Sequence, residues 1–274
     1  MEIQRHKIEV NGVQLQVRRQ GVGKETIVMC HGLLMHGGMF DGLIDALATD
    51  YHCVTIDFRG QGQSEVVDGG YDLSTLSEDI IAAIEALDLA PCHLLGFSMG
   101  GMVAQRAALR RPELFRSLIL LSTSAAGEPL KKKLRYGVLN LIARTVGLKS
   151  VAGRVSQLMF SDAYNADPRQ QSARQYWIDM ILANDRVGVT RAVRGVIGRR
   201  SILNEIDQIN LPTLVIGADQ DRATPPQHSR DIAARIPNAQ LVMLAGAGHT
   251  TPAEQPDALT AAVGGFLERL AERR

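Results

Sequence analysis

Only three cysteines stand in the 274 residues, an odd number whose spacings fit no metal-ligand pattern. Cys30, Cys53 and Cys92 each lie in an apolar stretch, where cysteine acts as a small buried hydrophobe. Free thiols in strands suit a reducing cytoplasm. An excess of charge is missing too: thirty Lys and Arg against twenty-nine Asp and Glu leave +1. A nucleic-acid partner would call for a basic face, so none is expected. No apolar run approaches the ~18 residues that cross a bilayer, and no membrane partner is expected either. The opening MEIQRHKIEVNG lacks an apolar h-region and does not read as a secretory signal. Neither glycine-rich phosphate motif occurs in its required context, which argues against nucleotide binding. What remains is 45% hydrophobic and 22% charged, the mix of a globular chain long enough for a large core.

The first half alternates strand-like and helix-like segments. Residues 6–10 and 13–18 flank Asn11-Gly12, a strong hairpin signal. Continuous apolar runs at 26–30, 52–58, 93–97 and 117–122 read as strands buried on both faces, and 212–218 and 239–245 repeat the pattern. Between them, 75–88 carries Leu76, Ile80, Ile84 and Leu87 on one face, with Thr75 and Glu78 as a capping box. Residues 99–110 are helix-compatible up to Pro112. This order predicts an α/β fold, a mostly parallel central sheet flanked by helices, with the hairpin as an antiparallel edge. From 125 to 205 there is helical spacing and no strand. That predicts a helical cap between two core segments, 1–124 and 206–274, over the strand ends where such sheets bind ligands. Lys131, Lys132 and Lys133 in it read as a solvated helix face. The apolar face of the last helix, from Leu259 to Leu270, is explained by core packing.

The strongest chemical signal is Gly96-Phe97-Ser98-Met99-Gly100-Gly101, which fits G-x-S-x-G between a strand and a helix. A sharp turn there lifts the Ser98 hydroxyl clear of the sheet and leaves the Met99 amide at a helix N-terminus, aimed at a developing oxyanion. Serine needs a base held by an acid. Among seven histidines, His249 follows the last strand in a glycine-rich loop. His31 reads as a loop brace, and His36 as a residue that could line the pocket. His228 opens a late helix and reads as solvated. Asp219 and Asp221 both lie just past residues 212–218. Asp221, deeper in the loop, is preferred as the acid, with Asp219 kept as the alternative. The second oxyanion amide is assigned to Leu33 beside Gly32. Met35, Met99 and Met102 suggest an adaptable apolar wall, to which Gly32 is added; Trp177 is a further pocket candidate, with packing inside the cap alongside Ile178, Ile181 and Leu182 as its alternative. Residues 57–64 read as a tight loop braced by Asp57 and Arg59.

These ordered motifs together resemble the α/β-hydrolase superfamily over nearly the whole chain. The elbow and the stretch after Asp221 look most like the 3-oxoadipate enol-lactonase and small carboxylesterase branch. By that resemblance Ser98 is the nucleophile, His249 the base and Asp221 the acid, with the Leu33 and Met99 amides as the oxyanion hole. The expected reaction is hydrolysis of a small-molecule carboxylic ester or lactone through an acyl-enzyme, without metal or organic cofactor. A C–C bond hydrolase or a cofactor-free perhydrolase or haloperoxidase would use the same triad. A ligand receptor on the same fold is the reading from another class. Oligomeric state is not legible.

Overall fold

The computed structural model describes residues 2–272. Eight strands form one sheet: β1 (Gln4–Val10), β2 (Val13–Gln20), β3 (Glu25–Cys30), β4 (Tyr51–Ile56), β5 (Cys92–Phe97), β6 (Phe115–Leu121), β7 (Thr213–Ala218) and β8 (Gln240–Leu244). Their spatial order is β1-β2-β4-β3-β5-β6-β7-β8. The hairpin turns at Asn11 and Gly12, both at positive φ, as a tight two-residue hairpin requires. β1 and β2 run antiparallel to their neighbours, and every other pairing is parallel. β5 and β7 are buried along their whole length, because helices cover both faces of the sheet.

The helices are α1 (Asp41–Leu47), α2 (Leu73–Ala86), α3 (Met99–Arg110), α4 (Leu130–Thr145), α5 (Ala152–Met159), α6 (Asp162–Ala166), α7 (Gln171–Leu182), α8 (Arg186–Ile197), α9 (Pro226–Arg235), α10 (Thr251–Glu254) and α11 (Pro256–Ala271). The start of α2 differs from the sequence expectation. Asp72, not Thr75, is the N-cap, and its carboxylate accepts from the Ser74 and Thr75 amides. An ionised acceptor three residues earlier outcompetes the hydroxyl for the free amides of the first turn. Thr75 instead donates its own hydroxyl to Asp72.

Apolar residues pack on both faces of the sheet. One layer joins β2 and β4 to α2 and α3; the other joins β3, β5 and β7 to α1 and α11. The three cysteines are buried and free, and burial raises the Cys53 and Cys92 thiols to about 12. α4 to α8 all fall between β6 and β7, and their ends meet where the Ile202 amide donates to the Ala125 carbonyl. Among the described residues no helix is long and apolar enough to cross a membrane.

Candidate active site

Ser98 joins β5 to α3 with φ 52° and ψ −114°. For a residue with a side chain, such a backbone costs on the order of 1–3 kcal/mol and needs outside support. The neighbouring strand β6, the loop after it and the first turn of α3 supply it: the Ser98 amide donates to Leu121 O, and Ser98 O accepts from the Met102 amide and from Thr123 Oγ1. The flanking glycines are needed for space. A Cβ on Gly96 would lie 2.4 Å from Gly100 O, and one on Gly100 would lie 2.0 Å from Cys30 O.

The Ser98 hydroxyl lies 2.9 Å from His249 Nε2, and His249 Nδ1 lies 2.8 Å from Asp221 Oδ2. An ionised carboxylate can only accept a hydrogen bond, so Nδ1 carries the imidazole hydrogen and donates it to Asp221, and Nε2 is left to accept from Ser98. His249 and Asp221 are buried, and the Phe97 ring packs against the imidazole with centroids 5.0 Å apart. The other Asp221 oxygen accepts from the Ala223 and Thr224 amides at 2.9 and 2.8 Å. Asp219 stands elsewhere, an exposed residue whose carboxylate accepts from the Gly246 amide. Such a chain can draw a proton from a hydroxyl to an imidazole while an anion steadies the ring. Among the described residues no cluster of His, Cys, Asp or Glu could hold a metal ion.

Opposite Ser98 lies the loop after β3. Its Leu34, at φ 69°, donates its amide to Gln61 Oε1, and the Met35 amide returns to Gly32 O. No acceptor takes the Leu33 amide among the described residues. Met99 is the first residue of α3, where amides have no partner within the helix. His31 holds the loop from below: Nδ1 donates to Gly32 O at 2.7 Å and Nε2 accepts from the Phe58 amide at 2.9 Å. Complete burial drives its pKa down to about 4, so the ring stays neutral and keeps both bonds. Asp57 accepts from the Gly37 and Gln63 amides, and Arg59 makes a two-point pair with buried Asp79.

Ser98 and His249 open onto a cavity of ≈ 180 Å³ whose far wall comes from the helical segment. Leu139 and Ala143 of α4, Val155 of α5 and Val189 and Val193 of α8 line it, facing Leu33, Met99 and Met102. Three expected pocket residues do not line it. Gly32 sits behind the loop, against the Phe97 ring and the Ser98 Cβ. Met35 is fully buried with Met39 and Phe40, and Trp177 packs among Met159, Phe160 and Met180. Burial in the neighbouring core claimed both large side chains before the cavity could. His36 also misses the cavity: its Nδ1 caps a short helical turn by accepting from Gly38. His228 is half-buried rather than solvated, near Ser124 Oγ, and that burial with Lys132 and Arg199 nearby lowers its pKa.

Several residues of the site went unnoticed in the sequence. Thr224 Oγ1 lies 2.8 Å from both Asp221 Oδ2 and Ser122 O. Asn184, between α7 and α8, donates to Leu34 O and accepts from the Gly62 amide, tying two loops of the sheet to the helical segment. Thr250 and Glu254 bind Met159 O and the Ser161 amide, fastening the His249 loop to the end of α5. Asn140 donates to Thr190 O beside the cavity. Only the spacing of Val189, Val193, Val196 and Ile197 on α8 offered a signal for the far wall.

A family model described as alpha/beta hydrolase fold matches residues 25–256. A putative carbamate hydrolase of Pseudomonas syringae pv. syringae is 27% identical over 259 residues, covering 88% of this chain and 93% of that one. A thermophilic esterase from Thermogutta terrifontis superposes with a TM-score of 0.90 at 25% identity, over 97% of this chain and 99% of the other. The enol-lactonase from Burkholderia xenovorans LB400 gives 0.89 at 26% identity, over 96% and 100%. With the family model spanning most of its length, this chain belongs to the α/β-hydrolase family.

Proposed function

We propose that this α/β hydrolase cleaves a carboxylic ester or lactone through an acyl-enzyme on Ser98. The observation that carries the reading is the unbroken chain from Ser98 Oγ through His249 to Asp221, opening onto an apolar cavity. Ser98 attacks the carbonyl carbon while Nε2 of His249 takes its proton. The Leu33 and Met99 amides hold the tetrahedral oxyanion, and Asp221 steadies the imidazolium. The proton passes to the leaving alkoxide, and a water deprotonated by His249 then releases the acid. Residues 125–205 act as a cap on a core made of 1–124 and 206–274. A cavity of ≈ 180 Å³ with mostly apolar walls suits a small to medium uncharged acyl group. Similarity to an esterase and an enol-lactonase supports this substrate class, and the three free thiols fit a cytoplasmic setting.

The test is p-nitrophenol release from acyl esters running from acetate to octanoate, with wild type beside Ser98→Ala. Turnover lost in the variant supports the reading. Equal turnover in both removes Ser98 as the nucleophile. No turnover in either moves the reaction to another acyl or C–C substrate.

A further inference from the structure

No membrane partner is expected from composition or apolar runs, but α4 presents an outward face that its own fold leaves uncovered. Leu130, Leu134, Val138 and Leu141 follow a spacing of four, four and three and form one stripe. Their relative exposures run from 59% to 73%, and they are four of the exposed large hydrophobics among the described residues. The opposite face of the helix, with Tyr136, Leu139, Asn140 and Ala143, lines the cavity. Lys131 and Arg135 border the stripe on one side, and Lys133 and Arg144 border it on the other. α4 contains no Asp or Glu, and among the described residues none of these four cations makes an ion pair.

The charge is regional. Between residues 125 and 205, fourteen Lys and Arg face six Asp and Glu, a net of +8, while the remaining residues hold sixteen against twenty-three, a net of −7. An overall charge of +1 hides this division. A helix with an exposed aliphatic stripe between cationic borders has the character of a segment that lies in the headgroup region of a bilayer. Neutral protein surfaces would leave the cations without partners, whereas acidic headgroups supply them.

We infer that the outer face of α4 docks this protein on an anionic phospholipid surface, with the Leu130–Leu141 stripe in the acyl boundary and the bordering Lys and Arg among the headgroups. An open groove lined by Arg135, Val138, Leu139 and Arg154 runs beside the stripe. Leu139 lines both this groove and the cavity of Ser98, so a docked surface stands one side chain from that cavity. The inference concerns binding and does not depend on the reaction proposed above.

The experiment is flotation of the full chain with phosphatidylcholine vesicles, with and without about one quarter phosphatidylglycerol, at low and high salt. The protein should float with the anionic vesicles at low salt and be released at high salt. Leu134→Ser with Leu141→Ser, and separately Lys131→Glu with Lys133→Glu, should each lower partitioning by about tenfold or more. Both pairs lie outside the cavity and should keep the wild-type far-ultraviolet spectrum and thermal midpoint. Equal partitioning to neutral and anionic vesicles overturns the inference. So does a loss confined to the charge variant, which would leave the stripe outside the lipid. A concentration-dependent dimer that Leu134→Ser dissolves overturns it in favour of a second copy as the occupant.

Discussion

On the sheet side of the cavity, polar groups are held by backbone and by buried partners: Ser98 by three hydrogen bonds to its main chain, Asp221 by two amides, and the loop after β3 by His31. The helical side is different. Its wall is mostly aliphatic, with Tyr136, Asn140 and the buried Glu128–Arg199 pair among the lining residues, and its separate core is small, with Ala143, Leu148, Val151 and Val189 buried in it. Hydrogen bonds fix positions to tenths of an ångström, while dispersion contacts accept any shape that fills the space. One wall is therefore suited to hold reacting atoms in place, and the other to be resized without disturbing them.

The largest effect should come from the sheet side. Ser98→Ala or His249→Ala should lower kcat/KM by about 10⁴-fold or more, and the double variant should be little worse than either single one. Additive losses in steady-state kinetics would show that the two residues act separately. Next comes Asp79→Ala, which leaves Arg59 buried without its carboxylate, the side chains being 7% and 1% exposed. A loss of about 3–5 kcal/mol in denaturant unfolding is expected. A loss under ~1 kcal/mol, the range of exposed pairs, would show that this side is less rigidly supported than its geometry implies.

His31 gives a pH test of the same wall. Its folded pKa of about 4 lies below the ordinary 6.5, so the unfolded chain binds the extra proton between those values. Stability is therefore full above pH 6.5 and falls as the pH drops toward 4, by about 3 kcal/mol for this group. Thermal midpoints between pH 7.5 and 4.5 should fall more steeply in wild type than in His31→Gln; parallel curves would discount the brace. On the helical side, Val193→Phe should cut kcat/KM for octanoate esters by about tenfold and spare acetate, a cost near 1–3 kcal/mol in the cavity. A uniform loss over all chain lengths would mean that the helical wall also positions the reacting groups.

The same division governs what the sequence disclosed. Strands β3 to β7 were legible because burial on both faces leaves an uninterrupted apolar run. Ser98 was conspicuous because its tight turn requires glycine at 96 and 100, close by in sequence. His249 and Asp221 follow strands and could be sought at strand ends. The far wall could not be read, since which face of α4 or α8 meets the cavity depends on how five helices pack over the sheet. Met35, placed by residue type, lies in the core instead, where more apolar surface is covered, and Trp177 takes the packing role that its periodic neighbours offered rather than the pocket one. Asp72 was missed as a cap because Thr75 and Glu78 matched a familiar pattern one turn too late.

The separation of +8 from −7 also bears on how the molecules behave together in solution. Near neutral pH the chain has almost no net charge to keep copies apart, yet each copy carries a strong dipole. The cationic end of one is drawn to the anionic body of the next. Dilute buffer should therefore favour head-to-tail clustering and turbidity, and modest salt should clear it by screening that attraction within about 10 Å. This protein should dissolve better in saline than in water.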